Sequence, residues 1–227
     1  MTLPPSNRDR PVFVEALKNL NADLPAQLAA RLKQPLPGWA AQARYQPELS
    51  FGRHMGPAPS HARPASVLIL LYPSHGQWHL PLTVRSAEMP DHAGQVSLPG
   101  GLIEPGEDSC QAALREFSEE LGAPADSIRV LGQLSPLYLF ASNYQIAPWV
   151  GAVDAAPAWR PNPREVDRLL EVPLAHLSDP ANSGRLQRGV GGLSFFAPCF
   201  CWQSERIWGA TSMVLAELIS SLDDCRL

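Results

Sequence analysis

The chain is poor in positive charge, in paired cysteines and in long apolar runs. Lysine and arginine number 18 against 22 aspartate and glutamate, for a formal net charge of −4. It therefore lacks the cationic excess that a nucleic acid or an anionic membrane surface demands. Its four cysteines, Cys110, Cys199, Cys201 and Cys225, form no Cys-x-x-Cys pair and no disulfide-like framework, as expected of a chain kept in a reducing compartment. Cys199 and Cys201 point to one face of a strand, but no histidines cluster beside them to complete a metal site. The longest apolar run, Val67–Tyr72, is far too short to span a bilayer, and the opening MTLPPSNRDRPVF carries no apolar core of a signal peptide. These absences lead to the expectation of a soluble, cytoplasmic protein with neither a membrane nor a nucleic-acid partner.

What is present is globular. The 227 residues are 45% hydrophobic and 18% charged, enough for one large domain or a domain with an appendage. The 24 prolines gather at 4–5, 35–37, 57–64 and 157–163, which read as loops or linkers. Two helical patterns open the chain, one with Phe13, Leu17 and Leu20 on a stripe, the next with Leu24, Leu28 and Leu32 behind Pro25. A proline-rich connector follows to about Arg63.

From Ala65 the pattern shortens into strands: Ser66–Tyr72, then Gln77–Val84 after a turn at Ser74–Gly76, then a brief extended piece at Gln95–Leu98. Further strands are expected at Ile128–Leu134, Tyr144–Val153 and Val166–Val172, with a helical turn over Leu174–Leu177. Leu193–Trp202 reads as a strand pair or a bent strand, and Ser212–Leu222 as a terminal amphipathic helix. Strands interleaved with two substantial helices suggest an α/β/α sandwich over a mixed sheet. The chain divides into a helical, proline-rich extension over residues 1–63 and a domain over residues 64–227.

The stretch Gly101–Gly122, GLIEPGEDSCQAALREFSEELG, holds the chemistry. Asp108 suits an N-cap, Gln111 three residues on completes a capping box, and Gly122 suits the C-cap. At about 100° per residue, Glu116, Glu119 and Glu120 share one face, while Cys110, Leu114, Phe117 and Leu121 share the other. Carboxylates that repel at i, i+4 spacing are relieved by a hard divalent cation, and Arg115 stands one turn before Glu119, placed to pair with it. Taken alone, three helix glutamates read more readily as a solvated acidic face.

The same stretch resembles the Nudix box, G-x5-E-x7-R-E-U-x-E-E-x-G-U, at Gly101, Glu107, Arg115, Glu116, Glu119, Glu120 and Gly122, with Phe117 and Ala123 at positions usually aliphatic. The resemblance implies a Nudix α/β/α fold and hydrolysis of a diphosphate linked to another group, with Mg2+ or Mn2+ as the cofactor. It assigns metal binding to Glu116, Glu119, Glu120 and the Gly100 carbonyl, and makes Arg115 the residue that orients a glutamate. Proton abstraction from water falls to Glu119, with Glu120 as the second choice.

Upstream, LTVRSAEMPDHAGQVSLPGG (Leu82–Gly101) resembles the signature of the coenzyme A pyrophosphatase branch, and Arg85, Ser86, His92 and Gln95 become the candidate substrate contacts. Pro81, Pro90 and Leu98 depart from that signature, Pro90 by replacing an arginine. The implied reaction converts coenzyme A or an acyl-CoA to 3′,5′-ADP and 4′-phosphopantetheine. Two other readings stay open: a Nudix hydrolase of another nucleoside diphosphate derivative or damaged nucleotide, and a non-catalytic binding or regulatory protein on this scaffold. The expected partner is a small nucleotide-type molecule; whether the chain forms a homodimer is left open.

Overall fold

A computed structural model describes residues 17, 21–50, 57–89 and 92–225. Of the first helical pattern only Leu17 falls within them, helical and buried; Phe13 and Leu20 lie outside, as does Pro90. The second pattern is a helix, α1 (Leu24–Arg31), which is followed by a short α2 (Trp39–Gln42).

Strands β1 (Arg63–Ser74) and β2 (Gln77–Arg85) form the expected hairpin, and β3 (Val96–Ser97) and β4 (Gly100–Leu102) follow. Helix α3 (Ser109–Leu121) comes next, then β5 (Arg129–Gln133), β6 (Leu137–Leu139), β7 (Tyr144–Ala152), β8 (Val166–Pro173) and a short α4 (Leu174–Ser178). The chain then makes β9 (Ser183–Val190), β10 (Leu193–Trp202), β11 (Glu205–Trp208) and α5 (Ala210–Asp223). Four strands escaped the sequence pattern, β4 because its Gly-Gly start reads as a turn. β6 and β11 are too short to show a period, and β9 is a polar hairpin arm, exposed along most of its length. Leu193–Trp202 is one strand, paired with β9 on one side and β11 on the other.

The main sheet runs β3-β2-β1-β7-β5, with β4 joined to β1, β6 to β7 and β8 to β2. It is mixed, since β1 and β7 are parallel from Arg63↔Tyr144 to Leu71↔Ala152 while the other pairs are antiparallel. The alternation of side chains along β1 sends Leu68, Leu70 and Tyr72 to one face, where they pack with Phe117 and Leu121 of α3. Ile69 and Leu71 go to the other face, into a core shared with α5 and with Leu24, Leu28 and Leu32. Helices thus cover both faces of the sheet, the expected α/β/α sandwich. Helix α5 also carries a fully buried carboxylate, Glu217. It accepts hydrogen bonds from the Gly38 and Ser135 main-chain N–H groups at 3.1 and 3.2 Å and from Gln42 Nε2 at 2.8 Å.

The site is positioned by the way β1 changes partners. Ala65–Val67 pair with β4, whereas Tyr72–Ser74 pair with β2, so the two neighbours diverge around the middle of the strand. Pro99 bridges the gap, its carbonyl accepting from Leu68 N at 3.0 Å. Gly100 then lies against β1 so closely that a Cβ there would strike the Ser66 carbonyl. No helix among the described residues is long and apolar enough to cross a membrane.

Candidate active site

Helix α3 is anchored at both ends by its own sequence. The capping box is complete: Asp108 Oδ1 accepts from Cys110 N and Gln111 N at 2.8 and 2.9 Å, and Gln111 Oε1 accepts from Asp108 N at 2.8 Å. Such a cap stabilises a helix by about 1 kcal/mol. Gly122 ends it in the left-handed conformation, φ 70°. Ser66 Oγ, on β1, donates to the Ser109 carbonyl at 2.6 Å and fixes the helix start over the sheet.

The acidic face is less open than the periodicity implied. Glu119 is exposed, Glu116 is half-buried and Glu120 is only 4% exposed. A single helix has two flanks, and here β4 and the segment 160–166 cover the one that carries Glu120. Cys110 and Leu114, expected in the core, are half-buried, and Ala112 and Ala113 are buried instead.

Arg115 gathers the other carboxylates. It forks onto Glu107, Nε to Oε2 at 3.0 Å and Nη2 to Oε1 at 2.7 Å, and its Nη1 donates to Glu116 Oε1 at 2.9 Å and Glu119 Oε2 at 3.1 Å. The pairing with Glu119 was legible from spacing; the dominant partner, Glu107, comes from the loop eight residues earlier. These bonds hold the Glu107 carboxyl below the usual carboxylate range. Glu116 lies on the bare backbone of Gly101, where any Cβ would collide with its carboxylate. Burial pushes its pKa up against the pull of Arg115, and Glu119 and Glu165 push the same way.

Glu120 accepts from Gly100 N at 3.0 Å, so the structure shows the main-chain N–H of Gly100, rather than its carbonyl, engaged with the helix. Burial pushes Glu120 up to about 8; Glu165 and Glu116 add to this, and the Gly100 bond and the Arg85 charge oppose it. Glu165 is the residue that the sequence reading missed as a site member. It stands outside both motifs that the sequence singles out, Leu82–Gly101 and Gly101–Gly122.

Of the candidate substrate contacts, Arg85 ends β2 within electrostatic range of Glu120. Its main chain closes the loop that follows, with Gly94 N donating to the Arg85 carbonyl and Arg85 N to the Gln95 carbonyl, both at 3.0 Å. Ser86 is buried, its Oγ accepting from Glu88 N at 3.3 Å and its N–H donating to the Glu165 carbonyl at 2.8 Å. His92 and Gln95 lie on the loop's outer side, His92 Nδ1 and Gln95 Oε1 3.3 Å apart. Trp149 is committed to the core side, donating to Ser109 Oγ at 3.2 Å, and Tyr138 donates to Asn143 Oδ1 at 3.1 Å. Phe140 is 48% exposed.

The donor set is carboxylate oxygen, one of the carboxyls being a buried acid whose ionised form a cation would stabilise, and this fits a hard divalent ion. Among the described residues no three His, Cys, Asp or Glu side chains converge tightly enough to grip an ion as they stand. The hydrogen bonds from Arg115 and Gly100 hold the carboxylates in these positions.

A family profile described as the NUDIX domain matches residues 62–187. The chain belongs to the Nudix family. It is 36% identical over 138 residues to an uncharacterized Nudix hydrolase, NudL, from Photorhabdus laumondii, covering 60% of this chain and 73% of that one. It is 38% identical over 160 residues to a protein from Homo sapiens named mitochondrial coenzyme A diphosphatase NUDT8, covering 67% of each. Among solved structures, a MutT/nudix family protein from Enterococcus faecalis superposes with a TM-score of 0.52 at 13% identity, covering 77% of this chain and 68% of that one, a likeness of fold. Nudix hydrolases act on small nucleotide-type substrates with divalent metal ions, and this chain is a Nudix hydrolase with the family's carboxylate helix intact.

Proposed function

We propose that this Nudix hydrolase cleaves the diphosphate of coenzyme A or an acyl-CoA, giving 3′,5′-ADP and the 4′-phosphopantetheine fragment. The observation that carries the reading is the junction of two motifs. The upstream signature resembling the coenzyme A branch is tied to the carboxylate helix, with Arg85 in the field of Glu120 and Ser86 bonded to Glu165. The name of the human relative, a coenzyme A diphosphatase, points the same way.

In this reading Glu116, Glu119 and Glu120 would hold Mg2+ or Mn2+, with the Gly100 carbonyl as a further candidate ligand. Bound there, such an ion would supply neutralisation of the diphosphate charge and a lower pKa for a nearby water. Arg115 fixes the rotamers of Glu116 and Glu119 through its shared guanidinium, work that costs no reorganisation during the reaction. Glu119, exposed and steadied by Arg115, takes the proton from water. The Arg85 guanidinium is suited to fork onto phosphate oxygens, and His92 and Gln95 present polar groups to the substrate from the loop.

The decisive experiment is a substrate panel with Mg2+ or Mn2+. Coenzyme A and short acyl-CoAs should be cleaved much faster than ADP-ribose, dinucleoside polyphosphates or nucleoside triphosphates. Dephospho-CoA should fall behind, because it lacks the 3′-phosphate dianion. Brisk hydrolysis of another nucleoside diphosphate derivative with coenzyme A untouched would overturn the substrate assignment and leave the family chemistry standing.

A further inference from the structure

The segment from Pro157 to Val166 holds three prolines, Pro157, Pro161 and Pro163, and yet is stitched firmly to the active site. Proline has no N–H and restricts the residue before it to extended conformations. In the stretch 160–163, then, only Arg160 and Asn162 can donate from the main chain. Both donate to carbonyls that the end of α3 leaves without helical partners: Arg160 N to Leu121 O and Asn162 N to Glu120 O, each at 2.8 Å. The strap is thereby registered on the residue that carries the buried carboxylate.

Asn162 then uses every polar group it has. Its main-chain carbonyl accepts from Glu165 N at 3.0 Å and Val166 N at 2.8 Å, turning the strap into β8. Its Oδ1 accepts from Arg164 N at 3.2 Å, and its Nδ2 donates to Glu165 Oε1 at 3.1 Å. The two side-chain bonds require different ends of the amide, which sets its orientation. Glu165, held in this way, lies in electrostatic range of both Glu116 and Glu120, and its carbonyl receives the Ser86 N–H at the root of the upstream loop.

We propose that Asn162 is a positioning residue: it aims the Glu165 carboxylate at the Glu116–Glu120 pair and so registers the metal-binding helix against the substrate loop. The inference rests on the reading of this site as a metal-dependent diphosphate hydrolase. Asn162 touches no reacting atom and acts through Glu165.

The test separates the turn from the aim. Asn162→Ser keeps a side-chain oxygen for Arg164 N but is too short to reach Glu165. It should weaken Mn2+ binding, measured by calorimetry without substrate, and lower kcat, each by about tenfold, with KM changed less than about twofold. Asn162→Asp, which holds the turn at least as well, should keep the wild-type thermal midpoint and still lose kcat. In a Glu165→Ala background, Asn162→Ser should add no further loss, because the carboxylate it aims is gone. Wild-type Mn2+ affinity and kcat in Asn162→Ser, wild-type kcat in Asn162→Asp, or an undiminished Asn162→Ser effect without Glu165 would each overturn the proposal. A wild-type enzyme that binds Mn2+ but hydrolyses no diphosphate would instead defeat the functional reading, and the Mn2+ titrations would still judge Asn162.

Discussion

Glu120 is the residue whose surroundings differ most from what its helix position suggests. Its folded pKa, about 8, stands above the 4.5 of a solvated glutamate, so the fold favours the neutral acid. The stability this contributes is fully present below about pH 4.5 and is lost as pH rises through about 8. In chelator, the thermal midpoint should therefore fall between those limits, with Glu165 and Glu116 steepening the loss and Arg85 moderating it; saturating Mg2+ should flatten the slope by stabilising the ionised form. Glu120→Gln removes the charge without changing the shape. It should abolish metal-dependent turnover while raising the midpoint of the metal-free protein at pH 8. Scanning calorimetry at several pH values reads both effects, and a variant with wild-type turnover would remove Glu120 from the site.

At the scale of elements, the site is made by a glycine turn meeting a capped helix. The four-residue spacing between Arg115 and Glu119 is a property of any helix and could be read directly. The bare backbone under Glu116 could not, because it depends on how β4 runs past α3. Gly101→Ala should therefore displace the Glu116 carboxylate while leaving strand pairing with Ser66 in place. Turnover should fall by about tenfold or more, as expected when a group is moved out of its productive geometry by about 1 Å. Far-ultraviolet circular dichroism should be unchanged, and an active Gly101→Ala enzyme would show that Glu116 has room to move. The strap over residues 160–166 is a second feature of this scale. Its prolines read as a loop, and a loop it is, but its main-chain donors complete the helix end.

At the scale of the whole molecule, the residues before the family match are joined to the rest through α5. Leu24, Leu28 and Leu32 share one core with the sheet, and Glu217 bonds residues on either side of the β-sheet domain's nominal start. We therefore propose that residues 21–50 of the extension work as a structural part of the domain. Glu217→Ala would leave the half-buried Gly38 and Ser135 main-chain N–H groups without this acceptor and Gln42 Nε2 with only the Ser135 carbonyl, at about 1–3 kcal/mol for each group left unsatisfied. It should lower stability by about 3 kcal/mol or more, read as a shift in the urea midpoint, while catalysis below the transition stays near wild type. A midpoint within about 0.5 kcal/mol of wild type would show that the extension docks without this carboxylate.

Local rules were enough to specify the strands β1, β2, β7 and β8, the helices α1, α3 and α5, the capping box, and the Arg115–Glu119 pair, since each depends on spacing within a few residues. The Nudix box and the loop before it were also legible, because their charged and glycine positions stand in a single run of sequence. Only the tertiary structure decided that Glu120 is buried, that Arg115 belongs first to Glu107, and that Glu165 joins the carboxylates from 45 residues beyond Glu120. Burial and charge proximity are set by whatever packs across the helix, and that comes from segments distant in the chain, whose approach no local period records.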